Sequence, residues 1–303
     1  MKLALIMSGM LRNFHHTYYA TKKFVLDDYF FKDKDIFFCG YSDGFNLEKS
    51  KIYFEELYSP KAMIIDRWTD EIKNEIESKT GCNKWAGIKN HPSKMTNVMS
   101  AWRCRYLANN LKINYEKENN FKYDLVYNLR CDMFFFNQID HNLAILAKDD
   151  HNSVYVPKDW DFNDVSNSCV GDIMAFGSSL AMDKYYSIYE HSNSYREMGI
   201  EGHPETLLGN HFKLKKIIRK YCKRNLAREY PYTKGDKKKL WDGKWSKKEI
   251  YKYIDIQNNE GIKNEIKIKV IKKLWIIFKD TISLKKIFKI IKKILIKLKL
   301  ISK

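Results

Sequence analysis

The feature that most constrains the fold is the alternation of short apolar runs with helical patterns in the first part of the chain. The run from Lys2 to Met7 ends at the turn Ser8-Gly9, and helix-like spacing follows from Tyr18 to Tyr29. A buried strand, a glycine turn and a helix begin a βαβ unit. The sequence therefore predicts an α/β fold in which a mostly parallel sheet is flanked by helices.

The same reasoning predicts the elements that follow. Apolar runs predict further strands at Asp35 to Cys39, Lys61 to Asp66, Tyr123 to Phe136, Ser153 to Val156 and Asp172 to Phe176. Helical spacing predicts helices at Leu47 to Leu57, Ser93 to Asn119, Leu180 to Tyr189 and a short one after Pro204. From about Tyr230 the periodicity is lost, which predicts a peripheral region.

Size and composition narrow the class of protein. The chain has 303 residues, enough for one large domain with a full core, and 44% of them are hydrophobic. Its six cysteines contain no C-x-x-C pair, so we expect reduced, mostly buried thiols rather than a zinc site or a disulfide framework. The first apolar run is too short for a signal peptide, and no run reaches the length of a membrane span. These features predict a cytoplasmic protein.

The positive charge is concentrated at the C-terminus. The segment 263–303 contains 14 lysines against two acidic residues, so it carries 12 of the 18 net positive charges. Its apolar side chains recur on one helical face, at Ile287, Ile291, Ile294, Leu295 and Leu298. This composition predicts basic amphipathic helices that lie at an anionic membrane surface. The alternative is a helix that packs its apolar face on the domain and leaves its lysines in solvent.

The most informative pair of charged residues is Arg130 and Asp132, near the middle of a predicted strand. Residues two apart on a strand project from the same face, so both charges enter one space. Ligands of open α/β sheets bind at the carboxyl ends of the strands. There a carboxylate can hold a divalent ion on a diphosphate, and a guanidinium can bind phosphate oxygens. The alternative is a simple Arg–Asp pair at a strand end.

The first turn and the end of the second strand supply further candidates for binding a nucleotide. Gly9, after Ser8, lets the backbone approach a ligand, and Arg12 stands at a helix N-terminus, which favours anions. Asp43 is a candidate contact for the ribose or the base. Its alternative is a turn-forming residue beside Gly44.

Two later acids and a histidine are candidates for catalysis on the acceptor. Asp172 follows a glycine at a predicted strand, and Glu205 lies in the sequence His203-Pro204-Glu205 at the start of a helix. A carboxylate beside a bound sugar nucleotide can act as general base on an acceptor hydroxyl, and His203 is an alternative base. The alternative for Glu205 is that an acid in the first turn only stabilises the helix.

The order of these motifs resembles bacterial surface-polysaccharide glycosyltransferases of the GT-A type, which make capsule or lipopolysaccharide. The resemblance covers residues 1–225 and rests on Ser8 to Arg12, Arg130 to Asp132, Asp172 to Gly177 and His203 to Glu205. It implies a Rossmann-like GT-A fold and transfer of a sugar from a nucleotide-sugar donor to a glycan or lipid-linked acceptor.

The resemblance also implies roles for individual residues. Asp132 corresponds to the last acid of the family's D-x-D metal motif, which binds Mn²⁺ or Mg²⁺, and the acid after Pro204 corresponds to its acceptor-side carboxylate. Arg130 stands where those enzymes have their first acid, so its guanidinium can replace part of the cation's role. The need for a metal ion is therefore left open.

These inferences combine into one expected organisation. Residues 1–229 form the catalytic domain, 230–262 a connecting region and 263–303 a tail that holds the enzyme on the inner face of the cell membrane. Two other classes of protein remain as alternatives. A nucleic-acid-binding protein would explain the pI near 9.4, but the charge lies mostly in the tail and no nucleic-acid motif is present. The other alternative is a nonenzymatic partner protein at the membrane surface.

Overall fold

The structure is a computed structural model that describes residues 1–11, 14–42, 47–85, 95–135, 137–157, 169–223, 226–229 and 240–242. All of these residues belong to one compact unit, Met1–Ile250. The predicted tail 263–303 and most of the predicted connecting region lie outside the described residues. Among the helices that the structure describes, none combines the length and the apolarity that crossing a bilayer requires.

A seven-stranded sheet forms the centre of the described part of the chain. Its strands are β1 (Lys2–Met10), β2 (Asp33–Ser42), β3 (Ala62–Arg67), β4 (Leu125–Arg130), β6 (Ser153–Pro157), β7 (Ala175–Gly177) and β8 (Ile218–Cys222). Their order is β3-β2-β1-β4-β7-β6-β8, and only β7 runs opposite to the others. A smaller antiparallel sheet joins β5 (Met133–Phe135), β9 (Leu226–Glu229) and β10 (Leu240–Asp242).

Eight α-helices are described around the main sheet. They are α1 (Phe14–Thr21), α2 (Leu47–Tyr58), α3 (Asp70–Thr80), α4 (Met95–Glu118), α5 (His141–Lys148), α6 (Ser179–Tyr186), α7 (Ile188–Glu197) and α8 (Pro204–Leu214). Local sequence explains several of their ends. The Ser178 side chain caps α6, Gly81 ends α3 in the left-handed conformation, and Pro204 occupies the first turn of α8.

The main sheet is buried on both faces. On one face Ala4 and Ile6 of β1 pack in a core with α4, α6, α7 and α8. On the other face Leu3, Leu5 and Met7 pack in a second core with α1, α2 and α5. Strands buried on both sides read as continuous apolar runs, which is why β1 and β2 were predictable from sequence. The predicted α/β architecture with a mostly parallel sheet is confirmed.

Three predicted elements differ from the structure. The predicted strand from Tyr123 to Phe136 is two strands, because the chain turns at Cys131 and Asp132 and β5 then pairs with β9 in the smaller sheet. Asp172 does not open a strand, since β7 begins at Ala175. The predicted helix from Tyr18 to Tyr29 begins earlier and ends as a π-helical turn, Lys22–Leu26. Alternating apolar residues alone do not show which strand a segment will pair with.

The buried histidine of α8 ties folding stability to pH. The Nε2 of His211 donates to the carbonyl of Lys184 at 2.8 Å, and its Nδ1 accepts from the Tyr195 hydroxyl at 2.8 Å. Burial lowers the pKa of His211 from 6.5 to about 3. Below pH 6.5 His211 is therefore protonated in the unfolded chain, whereas in the folded protein it stays neutral down to about pH 3. The contribution to stability is complete above pH 6.5 and falls by about 1.4 kcal/mol per pH unit toward pH 3.

The His211→Gln substitution should remove this slope. Between pH 7 and pH 5 the wild-type free energy of unfolding should fall by about 2 kcal/mol more than that of the variant. Urea unfolding at the two pH values measures the difference. Equal changes in the two proteins would show that His211 does not carry the effect.

Candidate active site at the carboxyl edge of the sheet

The first turn and the Arg130–Asp132 motif lie side by side at the carboxyl ends of β1 and β4. Ser8 of β1 is the register partner of Arg130 of β4, and partners in neighbouring strands project to the same face. The Cys131 thiol lies 3.4 Å from the carbonyl oxygen of Met10. Ser8 itself is buried. The turn at Ser8-Gly9 and the Arg130–Asp132 motif, more than 100 residues apart in the sequence, therefore meet at one edge of the sheet.

At the end of β1 the described residues leave the backbone of Gly9 uncovered. Gly9 has φ +122°, and apart from its chain neighbours no atom of the described residues lies within 4 Å of the position that a Cβ atom there would take. Its register partner in β2 is Gly40, where a Cβ atom would collide with the carbonyl oxygen of Gly9. Both positions therefore need glycine, and a ligand can approach the backbone of Gly9.

Arg130 and Asp132 form a two-fold hydrogen-bonded ion pair. The Nε and Nη2 of Arg130 donate to the two carboxylate oxygens of Asp132, each at 2.8 Å. Burial lowers the pKa of Arg130, but the charge of Asp132 more than offsets this, so the pKa is raised overall. Burial also raises the pKa of the Cys131 thiol between them to about 12, so this thiol stays protonated. The simple Arg–Asp pair considered from sequence is thus present, and it lies beside the open turn at Gly9.

The described residues do not make a fitting site for a divalent metal ion at Asp132. Both oxygens of its carboxylate accept hydrogen bonds from Arg130. Within the described ranges, no three His, Cys, Asp or Glu side chains are grouped so that they could hold a metal ion. The predicted role of Asp132 as a metal ligand stays a prediction.

Asp172 lies next to this pair and is held by a second arginine. Asn128 of β4 pairs with Ala175 of the antiparallel strand β7. Continuing this register by two residues places Arg130 opposite residue 173, which directly follows Asp172. The Nη1 of Arg105, on α4, donates to the Asp172 carboxylate at 3.0 Å, and its Nη2 donates to the Asp172 carbonyl at 2.9 Å. The charge of Asp172 also raises the pKa of Arg130, which agrees with their proximity.

Glu205 reaches the same edge from the first turn of α8. The carbonyl of Glu205 accepts from the backbone N–H of Val170 at 3.1 Å, which ties α8 to the segment that carries Asp172. Burial and then the charge of Asp172 raise the pKa of Glu205 to about 7, while Arg105 acts in the opposite direction. The Nδ1 of His203 lies 3.2 Å from Glu205 Oε2, although the geometry is not that of a hydrogen bond. Glu205 can therefore exchange a proton near neutral pH.

The structure gathers most of the predicted site residues into what we call the charged cluster. Its members are Arg105, Arg130, Asp132, Asp172, His203 and Glu205. Two predicted contacts, Arg12 and Asp43, lie outside the described residues, and their roles stay predictions. Arg105 was not predicted. Its signal in the sequence is a polar stripe along α4 at positions 105, 109, 112 and 116, whose side chains are all buried.

The fold and the site define an α/β protein with a charged cluster at the carboxyl edge of its sheet, where open α/β folds bind ligands. No protein-family model matches the sequence, and no curated protein matches it.

Several solved structures are similar in fold. Mouse xyloside xylosyltransferase 1 is 11% identical with a TM-score of 0.42, over 73% of this chain and 85% of that chain. The galactosyltransferase LgtC, in complex with donor and acceptor sugar analogs, is 9% identical with a TM-score of 0.40, over 72% and 73%. Core-mannan synthase A from Aspergillus fumigatus, in its Mn/GDP form, is 9% identical with a TM-score of 0.41, over 75% and 74%. At these TM-scores the similarity assigns no activity to this chain.

Proposed function

We propose that this protein is a glycosyltransferase that moves a sugar from a nucleotide-sugar donor to a glycan or lipid-linked acceptor. The observation that supports it most is the meeting of three features at one sheet edge. These are the open turn at Gly9, the Arg130–Asp132 pair and a carboxyl group, Glu205, whose pKa is about 7. The first two suit a diphosphate, and the third suits a proton acceptor.

The donor diphosphate would lie against the backbone of Gly9, with the guanidinium of Arg130 nearest its negative charge. Arginine binds phosphate oxygens through paired N–H groups, so Arg130 can exchange part of its contact with Asp132 for phosphate. Asp132 holds the guanidinium in place through two hydrogen bonds of 2.8 Å. We assign Arg130 the task of stabilising the nucleoside diphosphate as it leaves.

Glu205 would act on the acceptor. Its carboxylate takes the proton as the O–H bond of the acceptor hydroxyl breaks. The acceptor oxygen then bonds to the anomeric carbon, and the bond from that carbon to the diphosphate breaks. A base with a pKa near the working pH is best suited to such a proton transfer. Asp172 suits this role less well because Arg105 holds its carboxylate, and His203 stays the second candidate base.

A screen of nucleotide sugars tests the proposal directly. A donor that binds the folded protein should raise its melting temperature, and the same donor should be consumed when acceptors are added. The Asp132→Asn variant should keep its fold but lose the donor-induced shift and the transfer, since Arg130 is no longer held. Full turnover by this variant would remove Asp132 from the site. Repeating the screen with and without Mn²⁺ tests whether a metal contributes.

A role in bacterial cell-surface polysaccharide synthesis, such as capsule or lipopolysaccharide, extends the proposal. It follows from the motif order and from the basic segment 263–303, whose lysines suit an anionic membrane on the cytoplasmic side. An enzyme that acts on a lipid-linked acceptor would benefit from such an anchor. We expect no nucleic-acid partner.

Deletion of the chain after Gly261 tests the anchor. Each basic residue near an anionic surface contributes about 1 kcal/mol, so the full-length protein should sediment with phosphatidylserine vesicles and the truncated one should not. Binding of the full-length protein should fall steeply as salt is added. Undiminished sedimentation of the truncated protein would refute the anchor and leave the catalytic proposal intact.

A further inference from the structure

Arg105 is a buried cation with no role in the proposed chemistry. Its side chain is only 1% exposed, and its guanidinium lies 4.4 Å from the centre of the Trp102 ring on the same helix. Two of its nitrogens bond to the carboxylate and the carbonyl of Asp172. An arginine this deeply buried is kept only with a partner in good geometry, because a buried charge is costly.

The partner of Arg105 lies beside Glu205. Asp172 is fixed at both its carboxylate and its carbonyl, and Val170, two residues earlier, bonds to the carbonyl of Glu205. The Oε2 atom of Glu205 is buried and accepts no hydrogen bond from any residue in the described part of the chain. The ease with which Glu205 gains or loses a proton is therefore set mainly by its burial and by the Asp172 charge, while a backbone hydrogen bond and the Arg105 charge act in the opposite direction.

We propose that Arg105 is a positioning residue: it holds Asp172 beside Glu205 and offsets part of the Asp172 charge, and in this way sets the strength with which Glu205 takes a proton. This inference rests on the proposed function in one respect: the acceptor hydroxyl is taken to be the source of that proton. Its effect on Glu205 itself does not depend on which reaction the protein catalyses.

In the described part of the chain, the charged groups around Glu205 come from four parts of the fold. They are Asp172 before β7, Arg105 on α4 and His203 at the start of α8, with Arg130 at the end of β4 beside Asp172. Burial and the Asp172 charge raise the pKa of Glu205, and the Arg105 charge lowers it. Removal of Asp172 and removal of Arg105 should therefore move the Glu205 titration in opposite directions. A pair too far from Glu205 to act on its charge would move it in neither direction.

The test is a carbon-13 NMR titration of the full chain labelled at the glutamate side-chain carboxyl carbons. The Glu205 signal is the one absent from the Glu205→Gln variant. In Asp172→Asn the midpoint should fall by on the order of one pH unit and stay above the ordinary glutamate value, since burial remains. In Arg105→Met it should rise. The double variant Arg105→Met with Asp172→Asn leaves no unpaired buried charge, and its midpoint should lie below that of the wild type.

The control is Asp183→Asn, which removes the carboxylate partner of Lys112, another buried cation of α4. It should leave the Glu205 midpoint unchanged. A midpoint that does not rise in Arg105→Met, that does not move in Asp172→Asn or in the double variant, or that moves equally in the control, would overturn the inference. The outcome is separate from the proposed function. If the Glu205 midpoint shifts as expected but the wild type consumes no donor, the inference about Arg105 and Asp172 is supported and the transferase proposal fails.

Discussion

Replacing Glu205 by glutamine is expected to reduce sugar transfer by about 10²- to 10⁴-fold, the usual contribution of a general base. Glutamine keeps the size of the side chain but cannot take a proton. In the wild type, transfer should rise about tenfold per pH unit up to roughly pH 7, where Glu205 loses its proton, and then level off. The variant should lack this rise. Initial rates with the donor found in the screen, measured from pH 5 to 9, provide the check.

The same substitution should make the protein more stable at alkaline pH. A carboxyl group whose pKa is raised in the folded state costs stability as pH rises from its unfolded value, 4.5, to about 7. Glutamine has no such charge to bury, so the free energy of unfolding of the variant at pH 8 should exceed that of the wild type by about 1–3 kcal/mol. Glu201→Gln is the matched control, because Glu201 is exposed and lies four residues earlier. Normal transfer by Glu205→Gln would leave His203 as the candidate base.

Replacing Lys112 by methionine is expected to cost about 3–5 kcal/mol of folding stability, because it removes the buried cation from the partly buried Asp183 carboxylate and leaves the buried Glu116 carboxylate with Lys122 alone. Lys112 is fully buried, and its ammonium lies 2.7 Å from the Asp183 carboxylate, 3.5 Å from that of Glu116 and 2.7 Å from the Ser179 hydroxyl. Glu116 is also fully buried. Methionine fills the space of the lysine stem, so lost packing should add little. Urea unfolding gives the free-energy difference.

Lys122 offers a matched control for this prediction. It bonds to the same carboxylate, Glu116, at 2.7 Å, but its side chain is 50% exposed. Lys122→Met should therefore cost less than about 1 kcal/mol. Equal losses in the two variants, or a loss below 1 kcal/mol for Lys112→Met, would contradict the assignment of Lys112 as a buried structural cation.

The sheet was more predictable than the helix that packs on it. The run at β1 and the run at β2 are apolar on both faces, so their sequence alone indicates buried parallel strands. For α4 the predicted helix is confirmed, and Met99 and Trp102 are buried as apolar spacing indicates, but charged side chains of the same helix are buried too. Leu107 and Leu111 are only partly buried, whereas Arg105 and Lys112 are fully buried. Their partners, Asp172 and Asp183, lie 67 and 71 residues further along the chain.

The candidate site shows the same division. Arg130 and Asp132 were predictable as a pair of neighbouring side chains, because residues two apart on a strand project from the same face of the sheet. The turn between β4 and β5 was not, since it depends on pairing with β9 almost 100 residues later. Arg105 was missed because a cation within a helix is ordinarily in solvent, and only its ion pair with Asp172 makes it part of the site.

The sequence by itself determined the α/β class, the strands buried on both faces and the local chemistry of the Arg130–Asp132 motif. These features depend on residues a few positions apart, whose directions the backbone geometry fixes. Only the tertiary structure decided which charges meet at Glu205 and which are buried along α4. Burial and Coulomb interactions act through space, so they depend on partners that the chain brings together only when it folds.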